Sequence, residues 1–285
     1  MAEPIMKKVK GDGVEINLAI WQGSGKSILC IHGITANCRC WDVLANALSP
    51  QHRVIAMDLR GRGRSDKPPT GYSAKHHLRD INSLLDDLGL EQAVLMGHSL
   101  GAFITLAFAA EYPDRAERII LVDGAGDLSQ EQFDKVFVGI KPALDRLGMV
   151  FPSADDYLET MKQAPYIQPW SPALEAYYRY EIDSAEGGVR TNISPAHIQE
   201  EAENVRKLKS GSYYEKVSCD VLILRATKGL LSQDDLLLPQ GVAERMIREI
   251  PRAKCVNVEG VNHYGIVFQP HKERDRALLD FLRGP

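Results

Sequence analysis

The sequence predicts an α/β fold: a mostly parallel β-sheet flanked by helices, with a largely helical insertion late in the chain. Three observations predict it. Short apolar runs of strand length alternate with segments of helical periodicity up to residue 126 and again from residue 217. Residues 127–216 break that alternation and are rich in aromatics and prolines. A Gly-x-Ser-x-Gly pattern, Gly97-His98-Ser99-Leu100-Gly101, stands where one apolar run meets the next helix.

Val14 to Ile20 partly alternates apolar and polar residues and reads as an early strand. Gly23-Ser24-Gly25-Lys26-Ser27 invites a phosphate-loop reading and fails it. The motif's first glycine would fall on Ile20, and a strand, Ile28 to Ile31, follows where a helix is required. The stretch reads as a hairpin turn. After His32-Gly33-Ile34-Thr35, Trp41 to Leu48 has helical periodicity and Arg53 to Met57 is another strand. Asp58-Leu59-Arg60-Gly61-Arg62-Gly63-Arg64-Ser65-Asp66 is basic but interleaved with glycines, and reads as a turn network rather than an anion site. Ser73 to Leu88 is an amphipathic helix closed by Gly89.

Ala93 to Met96 is too short for a helix and suits a buried strand. Leu100 to Ala110 is apolar almost all round, as in a buried helix. Ser99 at their junction would sit on a tight turn that exposes its hydroxyl, with the Leu100 N–H at a helix N-terminus facing a developing oxyanion. Ile119 to Val122 is a strand ending at Asp123-Gly124. Within the insertion no strand is evident. Val221 to Leu224, a helix over Gly241 to Ile250, Ala253 to Val258 and a final helix over His271 to Leu282 complete the pattern. The expected organisation is a core of residues 1–126 and 217–285 with a separable helical unit over 127–216.

With 285 residues the chain can bury a large core, and its 25% charged and 44% hydrophobic residues are ordinary globular proportions. A net charge of −4 without a basic stripe speaks against nucleic acid as a partner. No apolar run reaches the ~18 residues of a membrane span, and Met1 to Lys10 lacks the apolar centre of a signal peptide. The five cysteines are odd in number and irregularly spaced, and Cys38-x-Cys40 has no second ligand pair. The expectation is reduced thiols, no metal and a cytoplasmic protein.

Four signals in this order resemble the α/β-hydrolase family over nearly the whole chain: His32-Gly33 after one strand, Asp58-Leu59-Arg60-Gly61-x-Gly63-x-Ser65-Asp66 after the next, the serine elbow, and the late His263 in Gly260-Val261-Asn262-His263-Tyr264-Gly265. The resemblance implies an eight-stranded sheet with a helical cap after the sixth strand. It implies His263 as the base for Ser99, and backbone N–H groups of Ile34 and Leu100 as the oxyanion hole. Of the seven other histidines, His98 would be turned away by the elbow and His32 would order backbone. His52, His76, His77, His197 and His271 fall on expected surface or cap segments. The acid has two candidate places. After the seventh strand the family's position falls on Gly229, with Asp234 and Asp235 somewhat later. At the end of the sixth strand stands Asp123, on the same sheet edge as Ser99, and it is preferred.

These residues imply a serine hydrolase of a small carboxylic ester, lactone or amide, acting through an acyl-enzyme without a cofactor on a small-molecule substrate. Cap aromatics, Trp170 and Tyr178 among them, would line an acyl or aryl pocket. The His32 to Thr35 start and the acid placement are similar to one branch of the family, the acetamidomethylene-succinate hydrolases. The scaffold also hosts carbon–carbon bond hydrolases, ligand-binding receptors and cofactor-free peroxidases, while a serine at the nucleophile's place argues against dehalogenases and epoxide hydrolases.

Overall fold

The inner apolar runs become strands that bury both of their faces, while the last, Ala253–Val258, lies at the sheet edge and is only partly buried. A computed structural model describes residues 2–284. In chain order the strands are β1 (Ile5–Lys10), β2 (Glu15–Trp21), β3 (Ser27–Ile31), β4 (Arg53–Met57), β5 (Ala93–His98), β6 (Ala116–Val122), β7 (Val150–Phe151), β8 (Ile182–Ala185), β9 (Gly188–Thr191), β10 (Asp220–Ala226) and β11 (Ala253–Val258). Eight form one sheet in the order β1-β2-β4-β3-β5-β6-β10-β11. From β4 to β11 its neighbours pair in parallel; β2 runs antiparallel to both β1 and β4.

The helices are α1 (Asp42–Leu48), α2 (Ala74–Asp87), α3 (Leu100–Glu111), α4 (Gln130–Asp145), α5 (Ala154–Lys162), α6 (Pro172–Tyr180), α7 (Pro195–Arg206), α8 (Gln240–Glu249), α9 (Gly265–Phe268) and α10 (Lys272–Arg283). Strand residues alternate between two cores. Leu29, Ile31, Leu95, Ile119, Leu121 and Ile223 pack with α2, α3 and α8. Ile28, Cys30, Val94, Met96, Ile120 and Leu222 pack with α1, α9 and α10.

The eight strands expected are found, but one has no counterpart among the apolar runs, and two other expectations need correction. The eighth strand, β1, gave no apolar signal because only Val9 of its six residues is buried. The 23–27 stretch is not a hairpin turn: β4 lies between β2 and β3, and Ser24 and Gly25 donate their N–H groups to the carbonyls of Pro50 and Gln51. The 127–216 segment is not wholly helical. β7, β9 and β8 form a small antiparallel sheet, whose β8–β9 hairpin turns at Gly187, φ +83°. Its short, half-exposed strands carry no apolar alternation.

The 127–216 segment lies between β6 and β10 and shares a core with the sheet. Val136, Tyr157, Tyr177 and Tyr178 join the cluster that holds Cys30, Val94 and Met96. Buried polar ties fix it further. Tyr180 OH donates to Asp58 Oδ2 at 2.7 Å. Glu201 of α7, fully buried, accepts from Arg62 Nη2 at 2.9 Å and from His77 Nε2 at 2.8 Å. His77, expected on the surface, is therefore buried under α7. Glu200 accepts the N–H groups of Gly71 and Tyr72.

Burial alone would raise the Glu201 carboxyl, but His77 and Arg62 outweigh it and hold the group at about 2, against an ordinary 4.5. A depressed carboxylate contributes stability that is present above the ordinary value and lost as pH falls through the window from 4.5 to 2. That loss is on the order of 3 kcal/mol. Glu201→Gln cannot titrate, so its urea midpoint is expected to be lower at pH 7 and to fall less steeply between pH 4.5 and 3 than that of the parent. Equal slopes in parallel urea titrations would show that Glu201 carries no such coupling.

Candidate functional site

The site is built where strand ends meet one helix start. β5 runs into α3 through Ser99, whose φ of +56° and ψ of −120° are rare for a residue with a side chain. Packing leaves no alternative path. A Cβ on Gly97 would overlap the Gly101 carbonyl, a Cβ on Gly101 would overlap the Ile31 carbonyl, and one on Gly124 would come within 2.7 Å of the Ser99 carbonyl oxygen. The Ser99 N–H is held by the Val122 carbonyl at 3.1 Å. Leu100 opens α3, and the first N–H groups of a helix have no acceptor within it.

Asp123 follows β6 with φ +46°. Its N–H donates to the Leu224 carbonyl at 2.7 Å, and its Oδ1 accepts the Ala226 N–H at 3.0 Å. The carboxylate is thereby clamped to the end of β10. Its Oδ2 accepts from His263 Nδ1–H at 2.8 Å, with both side chains buried. This bond fixes the histidine tautomer with Nε2 left as the acceptor. His263 sits in the β11–α9 loop, where Asn262 Oδ1 accepts the N–H groups of Tyr264 and Gly265.

His98 is not turned away from this site. Its ring stacks on His263 at 4.3 Å, and its Nε2–H donates to the His263 carbonyl at 2.9 Å. Burial, with His263 beside it, pushes its pKa well down, so it stays neutral. Behind the Gly33-Ile34 loop, His32 Nε2 accepts the Leu59 N–H at 3.0 Å and its Nδ1–H donates to the Gly33 carbonyl at 2.8 Å. Burial lowers His32 to about 4 against the pull of Asp58, so this brace also stays neutral. Arg62 Nε donates to the Ile34 carbonyl at 3.0 Å. A Cβ on Gly33 would lie 3.2 Å from Ser99 Cβ, so the loop passes directly beside the serine.

Ser99, His98, His263, Leu100, Gly33 and Ile34 line one pocket of about 830 Å³, including the part open to solvent. The two aspartates after β10 lie elsewhere. Asp235 is buried and accepts the N–H groups of Leu230, Leu231 and Ser232, closing its own loop. Asp234 is exposed.

A family model for the alpha/beta hydrolase fold matches residues 26–270. The chain belongs to the alpha/beta hydrolase family. It is 31% identical to 2-(acetamidomethylene)succinate hydrolase of Mesorhizobium japonicum over 243 residues, 85% of this chain and 83% of the relative. It is 26% identical to a putative carbamate hydrolase of Pseudomonas savastanoi pv. phaseolicola, covering 88% of this chain and 91% of the other. A crystal structure of E-2-(acetamidomethylene)succinate hydrolase superposes with a TM-score of 0.86 at 27% identity, over 99% of this chain and 100% of that one. These two relatives and this solved structure are all named as hydrolases, and this alpha/beta hydrolase is an enzyme of that class.

Two expected pocket residues of this alpha/beta hydrolase are not in the pocket. Trp170 and Tyr178 stack on each other at 5.7 Å, and Tyr178 also meets Tyr157 and Tyr177 edge-on. The neighbouring Tyr177 lines the pocket instead. Successive residues on α6 point about 100° apart, so only one of the two tyrosines can face the cavity. The larger apolar wall is Phe133, Val136, Phe137 and Ile140 of α4. Their i, i+3, i+4, i+7 spacing is a legible stripe that an inventory of single aromatics overlooks.

The φ of Ser99 carries a cost on the order of 1–3 kcal/mol. Ser99→Ala keeps the Cβ and the strain, whereas Ser99→Gly removes both at some cost in unfolded-chain entropy. Ser99→Gly is therefore expected to be about 1 kcal/mol more stable than Ser99→Ala in urea denaturation. An Ala variant at least as stable as the Gly variant would count against stored strain at the elbow.

Proposed function

We propose that this enzyme is a serine hydrolase of small carboxylic esters, lactones or amides, working through an acyl-enzyme. The observation that carries the reading is the buried Asp123–His263 hydrogen bond, made on the wall of the same pocket into which the Ser99 elbow opens. In this reading His263 Nε2 accepts the Ser99 proton as Oγ attacks the scissile carbonyl. Asp123 holds the imidazole in the required tautomer and stabilises the imidazolium. The N–H groups of Leu100 and Ile34 receive the oxyanion, at a helix N-terminus whose dipole favours negative charge. The imidazolium then protonates the departing alkoxide or amine. A water, losing its proton to His263, hydrolyses the acyl-enzyme and restores Ser99.

The supports around these groups suit the assignment. Asp123 is anchored by backbone bonds at the end of β10, and His98 sets the base's backbone. His32 and Arg62 brace the loop that would supply the Ile34 N–H, so the donors need no reorganisation as charge develops. Residues 127–216 act in this reading as a cap that closes the pocket over Ser99. No helix among the described residues is long and apolar enough to cross a membrane.

A fluorophosphonate probe is expected to label Ser99 alone, read by peptide mass spectrometry of the folded protein; a label elsewhere removes the nucleophile assignment. Asp123→Asn is expected to lower kcat by about 10⁴ with the fold retained, the scale reported for neutralising a triad acid. Asp234→Asn should stay within about tenfold of the parent, and Asp235→Asn should lower Tm while leaving kcat within the same range. Near-full activity in Asp123→Asn, with either other variant inactive though folded, would move the acid to the loop after β10.

A further inference from the structure

The pocket that holds Ser99 and His263 is lined, among the described residues, by no lysine, arginine, aspartate or glutamate. Its walls are hydrocarbon and aromatic faces: Phe133, Phe137, Ile140, Tyr177, Leu237 and Phe268. Its ionisable side chains besides His263 are held neutral. Burial pushes the Cys40 thiol and the Tyr177 and Tyr264 phenols upward, and pushes His98 downward.

The guanidiniums nearby are already occupied. Arg146 donates to the carbonyl of Thr35, a pocket residue, but its Nε and Nη2 each lie 2.9 Å from the Glu181 carboxylate. Tyr157 OH donates to that same carboxylate, and all three side chains are buried. A cation balanced in this way offers a second anion little. Arg206 belongs to an adjoining recess, where it pairs with Asp134 at 3.2 Å and lies 5.3 Å over the rings of Phe133 and Phe137. Arg62 spends its donors on Ile34, Arg60 and Glu201.

We infer that the acyl group accepted here is uncharged and apolar, of aryl or medium-chain alkyl type, and that acids carrying a second free carboxylate on the acyl side are rejected. The inference rests on the serine-hydrolase reading above and adds the substrate class. A carboxylate drawn into this pocket would lose its hydration and find no counter-ion, which is the costliest way to bury a charge. An apolar acyl chain would lose only ordered water and gain dispersion contacts with the rings. The succinate in the relative's name carries two carboxylates, and no lysine or arginine among the described residues lines this pocket to receive either.

The test holds the leaving group and the six-carbon acyl backbone constant and changes the group at its far end from methyl to carboxylate to methyl ester. kcat/KM is measured at pH 7.5 for p-nitrophenyl hexanoate, p-nitrophenyl hydrogen adipate and the p-nitrophenyl methyl diester of adipic acid, each corrected for uncatalysed hydrolysis. The expected result is that the methyl diester and the hexanoate are hydrolysed at least about a hundredfold more efficiently than the hydrogen adipate. A hydrogen adipate turned over as well as its methyl ester overturns the inference, and if fluorophosphonate still labels Ser99 the serine-hydrolase reading stands without it. No turnover of any ester together with no labelling of Ser99 removes that reading, and the inference with it.

Discussion

The backbone crossing at Ser99 is the constraint on which the site depends. α3 starts so close to the ends of β3 and β5 that the Ile31 and Gly101 carbonyls occupy the space any side chain at 101 or 97 would need. With both positions reduced to glycine, the one path from strand to helix takes Ser99 through φ +56°. The strain persists because the surroundings over-determine it: the Val122 carbonyl fixes the Ser99 N–H, and Gly124 lets β6 pass beneath. The same packing that strains the residue brings its side chain to the pocket wall.

Around that crossing, buried polar groups do what a hydrophobic core cannot: they fix loops whose backbone has no sheet partner. Asp58 is the clearest case. Its carboxylate accepts the N–H groups of Cys38 and Arg64, the Asn17 amide and the Tyr180 hydroxyl, tying β2, two loops and the inserted segment at one point. A Cβ on Gly63 would overlap this carboxylate, which accounts for glycine within the basic segment. Arg62 extends the same logic, joining the Ile34 carbonyl to Glu201 of α7. The loop beside Ser99 and the seat of the inserted segment are thus one bonded system, and the segment is less separable than its place between two strands suggests.

Two parts of the molecule divide the proposed work. The groups assigned to bond making and breaking come from the ends of β5 and β6 and the loop after β11, elements any member of the fold would keep in place. The apolar walls of the pocket come from α4, which gives Phe133, Val136, Phe137 and Ile140, with Tyr177 of α6 and Val267 and Phe268 of α9. In the proposed reading, exchange of a few of these side chains would alter selectivity without moving Ser99, Asp123 or His263. Similarity to a relative across the whole chain therefore speaks to fold and reaction class more than to substrate.

The sequence by itself determined the alternation of strands and helices in the central sheet and the elbow, because each buried strand and helix leaves a local periodic trace; the spatial order of the strands came only from the structure. It also brought Ser99 forward through its elbow, and Asp123 and His263 through the places that the family resemblance assigns to acid and base. It gave no trace of β1 or of the β7–β9–β8 sheet, whose few apolar residues do not alternate with polar ones. Only the tertiary structure decided which of Tyr177 and Tyr178 reaches the cavity, that His77 lies buried under α7, and that His98 stacks on His263. Those facts depend on contacts between residues 124 to 165 positions apart or on the rotation of one helix against the sheet. No local pattern encodes either.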